Sequence, residues 1–122
     1  MARIAVCEPY PELLVLFERA VSRLGHEAVP CRHEPDLIAA DGVDALLIDC
    51  DLGGAALHAD ELRRVAGDVP VVTCSIYSAG SEIRALDPVA HLVKPFTRVQ
   101  LDRALMDALG SGREPRTQSS AA

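Results

Sequence analysis

Short apolar runs alternate along the chain with segments whose apolar residues recur every three or four positions. Arg3 to Cys7 is the first run, and it predicts a strand. Pro11 suits a first helical position, where its missing N–H is not needed. Leu13, Leu14, Leu16, Phe17, Ala20, Val21 and Leu24 then share one helical face, and Gly25 is the stop. Glu27 to Cys31 predicts a second strand, and Glu34-Pro35-Asp36 opens a second helix carrying Leu37, Ile38 and Ala40. Asp44 to Asp49 is continuously apolar until it ends on an acid, the pattern of a central strand emerging at a sheet edge. Gly53-Gly54 interrupts the chain, and Leu57, Leu62, Val65 and Ala66 mark a third helix closed by Gly67. Val69 to Ser75 is the fourth strand. Ser81 to Leu86 leaves room for only a short fourth helix, because Asp87 precedes a proline and is biased away from helical geometry. After a fifth strand, Val89 to Val93, Thr97 and Gln100 form a capping box. They open a fifth helix with Leu101, Leu105, Ala108 and Leu109 inward and Gly110 at its end.

Strands that alternate with helices imply βαβ units, hence an α/β, doubly wound parallel sheet with helices on both faces. At 122 residues the chain suits one core. We read 1–110 as that domain and 111–122, rich in Gly, Ser, Arg and Thr, as a disordered tail or linker stub. A net charge of −6 with no basic run argues against direct nucleic-acid contact. No apolar run approaches the ~20 residues that span a bilayer, so no membrane partner and a cytoplasmic location are expected. Cys7, Cys31, Cys50 and Cys74 are widely spaced and border apolar segments, which reads as small buried hydrophobes. The sharper alternative is disulfide partners or zinc ligands, because Cys7, Cys50 and Cys74 fall near one end of the expected sheet.

Ligands of an open parallel sheet bind beyond the carboxyl ends of its strands. Those ends carry Glu8, Asp49, Ser75 and Lys94. Such a set suits phosphoryl transfer: a carboxylate to attack phosphorus, an acid to hold a divalent cation, and donors for the phosphoryl oxygens. Taken singly, Asp49 reads as a cap or loop acid and Ser75 as a hydroxyl bonded to backbone. Their joint placement at equivalent strand ends favours the site.

With these residues in place, the chain from Arg3 to about Leu109 resembles the receiver domains of two-component response regulators, as an atypical member. Asp44-Ala45-Leu46-Leu47-Ile48-Asp49-Cys50-Asp51-Leu52 looks like the strand that presents a phosphorylated aspartate. Val69-Pro70-Val71-Val72 with Ser75 looks like the switch strand, and His91-Leu92-Val93-Lys94-Pro95-Phe96 like the lysine-proline-phenylalanine signature. The resemblance implies a flavodoxin-like, five-stranded sheet of order 2-1-3-4-5 and Asp49 as phosphoacceptor. It also implies Mg²⁺ on Glu8, Asp49 and the Asp51 backbone carbonyl, Ser75 and Lys94 on the phosphoryl group, and a cis peptide before Pro95. His91 stands at the family's aromatic switch position. The implied partners are a sensor histidine kinase or phosphotransfer protein and an unidentified downstream protein, with no enzyme activity of its own expected.

Departures from the pattern are informative. Pro9 stands where a second acid is usual, which weakens the expected Mg²⁺ site. His91 is titratable, although a partly exposed strand histidine without a signalling role is the plainer reading. The stretch from Ser75 to Lys94 is short at the fourth helix. These features keep open a pseudo-receiver that acts as an interaction module without phosphate. Asp49-Cys50-Asp51 also has the spacing of haloacid-dehalogenase-like phosphatases, but it follows the third strand and lacks the expected threonine. A flavin-binding relative is disfavoured by the acids and prolines of Glu8 to Glu12. Arg84, Asp87, Arg98 and Asp102 present a surface for a homodimer or a solvated face.

Overall fold

The computed structural model describes residues 2–8, 10–31, 42–51, 64 and 67–121, with 82 and 111–121 described by backbone alone. Pro9, the expected second helix and nearly all of the expected third helix lie outside these residues. The described elements run β1 (Arg3–Cys7), α1 (Pro11–Arg23), β2 (Glu27–Cys31), β3 (Ala45–Asp49), β4 (Val71–Ser75), α2 (Ser81–Arg84), β5 (Ala90–Val93) and α3 (Arg98–Ala121). All strand pairs are parallel, in the order β2-β1-β3-β4-β5. Pro30 cannot donate to a ladder, which suits its place on the edge strand β2.

Every residue of β3 and β4 is buried, as their continuous apolar sequence requires. The two-residue period of a strand divides them between two cores. Ile4, Val6, Ala45, Leu47, Val72, Cys74 and Leu92 pack with Leu14 and Val21 of α1 and with Leu101, Ala104, Leu105 and Ala108 of α3. Ala5, Leu46, Ile48 and Val71 form the second core with Ile83 of α2 and Leu86. Gly25 takes a left-handed φ of 90°, the conformation that ends α1 at the expected place.

Several boundaries differ from expectation: β4 begins at Val71 rather than Val69, β5 at Ala90 rather than Val89, and two helix ends move. The last helix does not stop at Gly110; its backbone continues to Ala121. Leu101, Ala104, Leu105 and Ala108 are its buried residues among those whose side chains are described. Once formed, a helix gains one hydrogen bond for each residue added, so a glycine alone need not end it. The fourth helix is a single turn, Ser81–Arg84, and ends before Leu86. Among the described residues, no helix is long and apolar enough to cross a membrane.

Candidate functional site

Strand pairing brings the four sequence-selected residues to one edge. Cys7 lies opposite Ile48 in the register, so Glu8 and Asp49 follow side by side. Beyond the strands, Cys50 N–H donates to the Cys74 carbonyl at 2.9 Å and Lys94 N–H to the Ser75 carbonyl at 2.8 Å. These bonds fix the chain where Asp49, Ser75 and Lys94 emerge. The Lys94-Pro95 peptide is cis, as the resemblance implied.

Asp49 is 8% exposed. Its Oδ2 accepts from Lys94 Nζ at 2.6 Å, and its Oδ1 accepts from Asp51 N–H at 2.9 Å. Burial alone would raise its pKa. The neighbouring Glu8 carboxyl, the Lys94 ammonium and the Asp51 amide together outweigh burial and hold it below the ordinary 3.8. Glu8, 1% exposed, shows the opposite balance. Burial, and then the Asp49 carboxylate beside it, lift its pKa from 4.5 to about 7, against the opposing pull of the Tyr10 amide and Lys94. Glu8 Oε2 accepts from Tyr10 N–H at 3.0 Å, while the buried Oε1 has no hydrogen-bond partner. Of the two neighbouring carboxyls, Glu8 is thus the more readily protonated and Asp49 the more readily ionised. Lys94 loses solvation on burial, yet Asp49 and Asp51 raise its pKa and keep it charged. Its ammonium also lies 5.7 Å above the centre of the Phe17 ring, which stacks on Phe96 at 6.2 Å.

The Asp51 side chain is the residue that sequence reasoning missed. Its backbone carbonyl was the expected contributor, but its carboxylate is fully engaged. Oδ2 accepts from Lys94 Nζ at 2.7 Å and Oδ1 from Ile76 N–H at 2.6 Å. No spacing rule announces this, because the direction of a side chain just past a strand end depends on the loop.

Ser75 points into a second network, one without carboxylates. Its hydroxyl donates to the Tyr77 carbonyl at 2.5 Å, accepts from Tyr77 N–H at 3.1 Å, and lies 3.3 Å from His91 Nε2. The backbone-bonded reading of Ser75 is thus the observed one. His91 is half-buried and Nε2 lies 2.9 Å from the Tyr77 carbonyl, an acceptor, so Nε2 carries a proton. Nδ1 lies 2.8 Å from Oγ1 of Thr73, its register partner on β4. A threonine in an otherwise apolar strand, two residues before Ser75 and therefore on the same face, was the available signal for this network.

Among the described residues, no group of three or more His, Cys, Asp or Glu side chains is arranged to hold a metal ion. Glu8 and Asp49 nevertheless converge, and the orphaned Glu8 Oε1 is a hard oxygen donor lacking a positive partner. That donor set fits a divalent cation of the magnesium type completed by carbonyl and water. All four cysteines are free, with Cys31, Cys50 and Cys74 buried and Cys7 half-buried. Burial, with Asp49 and Asp51 nearby, pushes the Cys50 thiol up to about 12, and burial likewise raises Cys74. Cys50 and Cys74 are protonated packing groups rather than metal or redox centres.

No protein-family model and no curated protein matches the sequence. Solved structures do. NtrX from Brucella abortus in complex with ADP superposes with a TM-score of 0.84 at 24% identity over 99% of this chain. This chain spans only 30% of that one. The receiver domain of the sensor histidine kinase PA1611 from Pseudomonas aeruginosa, with a magnesium ion coordinated in its active-site cleft, gives 0.76 at 21% identity. That match covers 89% of this chain and 98% of the other. The chemotaxis protein CheY4 from Vibrio cholerae gives 0.76 at 16% identity, covering 89% and 99%. The sheet order, the helices packed on both faces and these superpositions agree: the chain has the fold of response-regulator receiver domains.

Proposed function

We propose that this chain is a receiver module whose Asp49 accepts a phosphoryl group from a histidine kinase or phosphotransfer protein and passes the signal to a downstream protein. The reading rests on one observation: a buried, ionised Asp49 at the carboxyl edge of the sheet, with the Lys94 ammonium at 2.6 Å. In the transfer, an Asp49 oxygen forms the bond to phosphorus. The phosphorus–nitrogen bond of the donor histidine breaks, and its electron pair stays on the imidazole. Lys94 offsets the added charge. Mg²⁺ held by Glu8, Asp49 and the Asp51 backbone carbonyl supplies further neutralisation of the phosphoryl oxygens when bound. Residues 1–110 form the receiver unit in this reading, with 111–122 leading away from it.

Incubation of the chain with Mg²⁺ and acetyl phosphate, followed by intact-mass measurement, tests the proposal. We expect one phosphoryl adduct, absent from Asp49→Asn at unchanged far-UV dichroism. Labelling of that variant would refute the assignment. A second reading, a phosphorylation-independent interaction module, draws support from the prior engagement of Lys94 by Asp51 and of Ser75 by the Tyr77 carbonyl. It predicts no adduct at any metal concentration.

A further inference from the structure

We infer that the Asp51 carboxylate is a resident stand-in for the incoming phosphoryl group, a positioning residue that sets how readily Asp49 can be modified. The inference rests on the phosphoacceptor reading of Asp49 and concerns the regulation of that site.

An anion arriving on Asp49 Oδ2 needs donors within hydrogen-bond reach. Lys94 Nζ is 2.6 Å from that oxygen, so the ammonium is the nearest cation for it. The same ammonium is held by Asp51 Oδ2 at 2.7 Å. The other Asp51 oxygen takes the Ile76 amide at 2.6 Å, the first backbone donor after the end of β4. One carboxylate thus bridges the ammonium that borders the reacting oxygen and the first amide past β4, as a planar anion would if bound there from solution. Among the described residues Lys94 has two acid partners, Asp49 and Asp51, so the cluster already holds more negative than positive charge before any phosphate arrives. A phosphoryl group brings further negative charge within a few ångströms of Asp51, where like charges in a partly buried setting repel strongly. For the adduct to form, Asp51 must yield Lys94, and the contact to Ile76 ties that release to the loop after β4. The carboxylate therefore orders the empty site and opposes its filling.

Beryllofluoride, with Mg²⁺, is the probe, because it adds to an aspartate as a phosphoryl analogue without chemical turnover. In Asp51→Asn the Ile76 acceptor is kept and the charge is removed. We expect beryllofluoride to bind roughly tenfold more tightly than to the parent chain, at the modest end of what one nearby like charge can be worth. Labelling by acetyl phosphate should be faster in the same proportion. Asp51→Glu retains the charge and should bind clearly more weakly than Asp51→Asn. The parent chain gives a readout that needs no variant: its Asp51 carboxyl ¹³C resonance should move on saturation, as the group leaves Lys94 and Ile76. Adduct formation without tighter binding in Asp51→Asn, an equal gain in Asp51→Glu, or an unmoved Asp51 resonance would each overturn the inference and leave the Asp49 reading standing. Absence of any adduct in both the parent and Asp51→Asn would overturn both. An adduct in Asp51→Asn alone would support the inference in its strongest form.

Discussion

Two polar clusters sit side by side at the carboxyl edge of the sheet, and they are built on opposite rules. Glu8, Asp49, Asp51 and Lys94 form a charged cluster with an acid in excess and an orphaned oxygen on Glu8. Thr73, Ser75, His91 and the Tyr77 backbone form a carboxylate-free cluster of paired donors and acceptors. A satisfied network stabilises the arrangement it is found in. A cluster with surplus negative charge is held under tension that a cation relieves. The first is suited to receive an ion, and the second to hold Ser75 where it is until something more attractive appears.

The largest expected effect comes from removing the only cation found within the charged cluster. Lys94→Met leaves Asp49 and Asp51 facing each other without compensation, and should lower stability by about 3 kcal/mol in urea unfolding at pH 7. A loss below about 0.5 kcal/mol, the size of an exposed pair, would mean that the cluster is effectively solvated.

Protonation of Glu8 gives the next effect, and its sign is fixed by the direction of the shift. The fold binds the Glu8 proton more tightly than the unfolded chain does, with the pKa lifted from 4.5 to about 7. This contribution is fully present below about pH 4.5 and is lost as pH rises towards 7. Asp49, shifted down, acts in the opposite sense but only at and below its ordinary value of 3.8. Glu8→Gln should therefore flatten the fall in stability between those limits and be more stable than the parent at pH 8, by roughly 2 kcal/mol. On the proposed reading Mg²⁺ would compete for the same oxygens, so its affinity should drop as pH falls below 7, which calorimetric titration would measure. An unchanged pH profile in Glu8→Gln would locate the titration elsewhere.

Smaller effects are expected from the carboxylate-free cluster. His91→Phe leaves the fully buried Thr73 hydroxyl without its ring partner and should destabilise by about 1 to 2 kcal/mol. Adding Thr73→Val removes the stranded hydroxyl and should return most of that loss, so the two changes are not additive. Additive losses in the double variant would show that the contact between the two residues carries little energy.

Much of this architecture was legible in the sequence. Continuous apolar runs ending on Asp49 and Ser75 declared buried parallel strands, and parallel strands carry their chemistry at one edge. Periodicity reveals which face a residue takes, but it does not reveal which residue stands opposite. The pairing of Thr73 with His91 depends on the β4–β5 register, which the crossover through α2 sets and no local pattern encodes. The role of the Asp51 carboxylate was hidden for a similar reason, because backbone geometry past the strand end aims it. The end of the last helix was misplaced at Gly110 because apolar spacing reports packing, not where helical hydrogen bonding ends.

The aromatic pair beneath Lys94 has a spectroscopic consequence. With its ammonium 5.7 Å above the Phe17 ring, and that ring lying nearly parallel to Phe96, the end of the lysine chain sits in the shielding cone of an aromatic face. Its terminal methylene protons should resonate upfield of those of a free lysine. Any event that draws the amine off the ring would return them downfield, so the chain carries a native beacon for the filling of its own crevice.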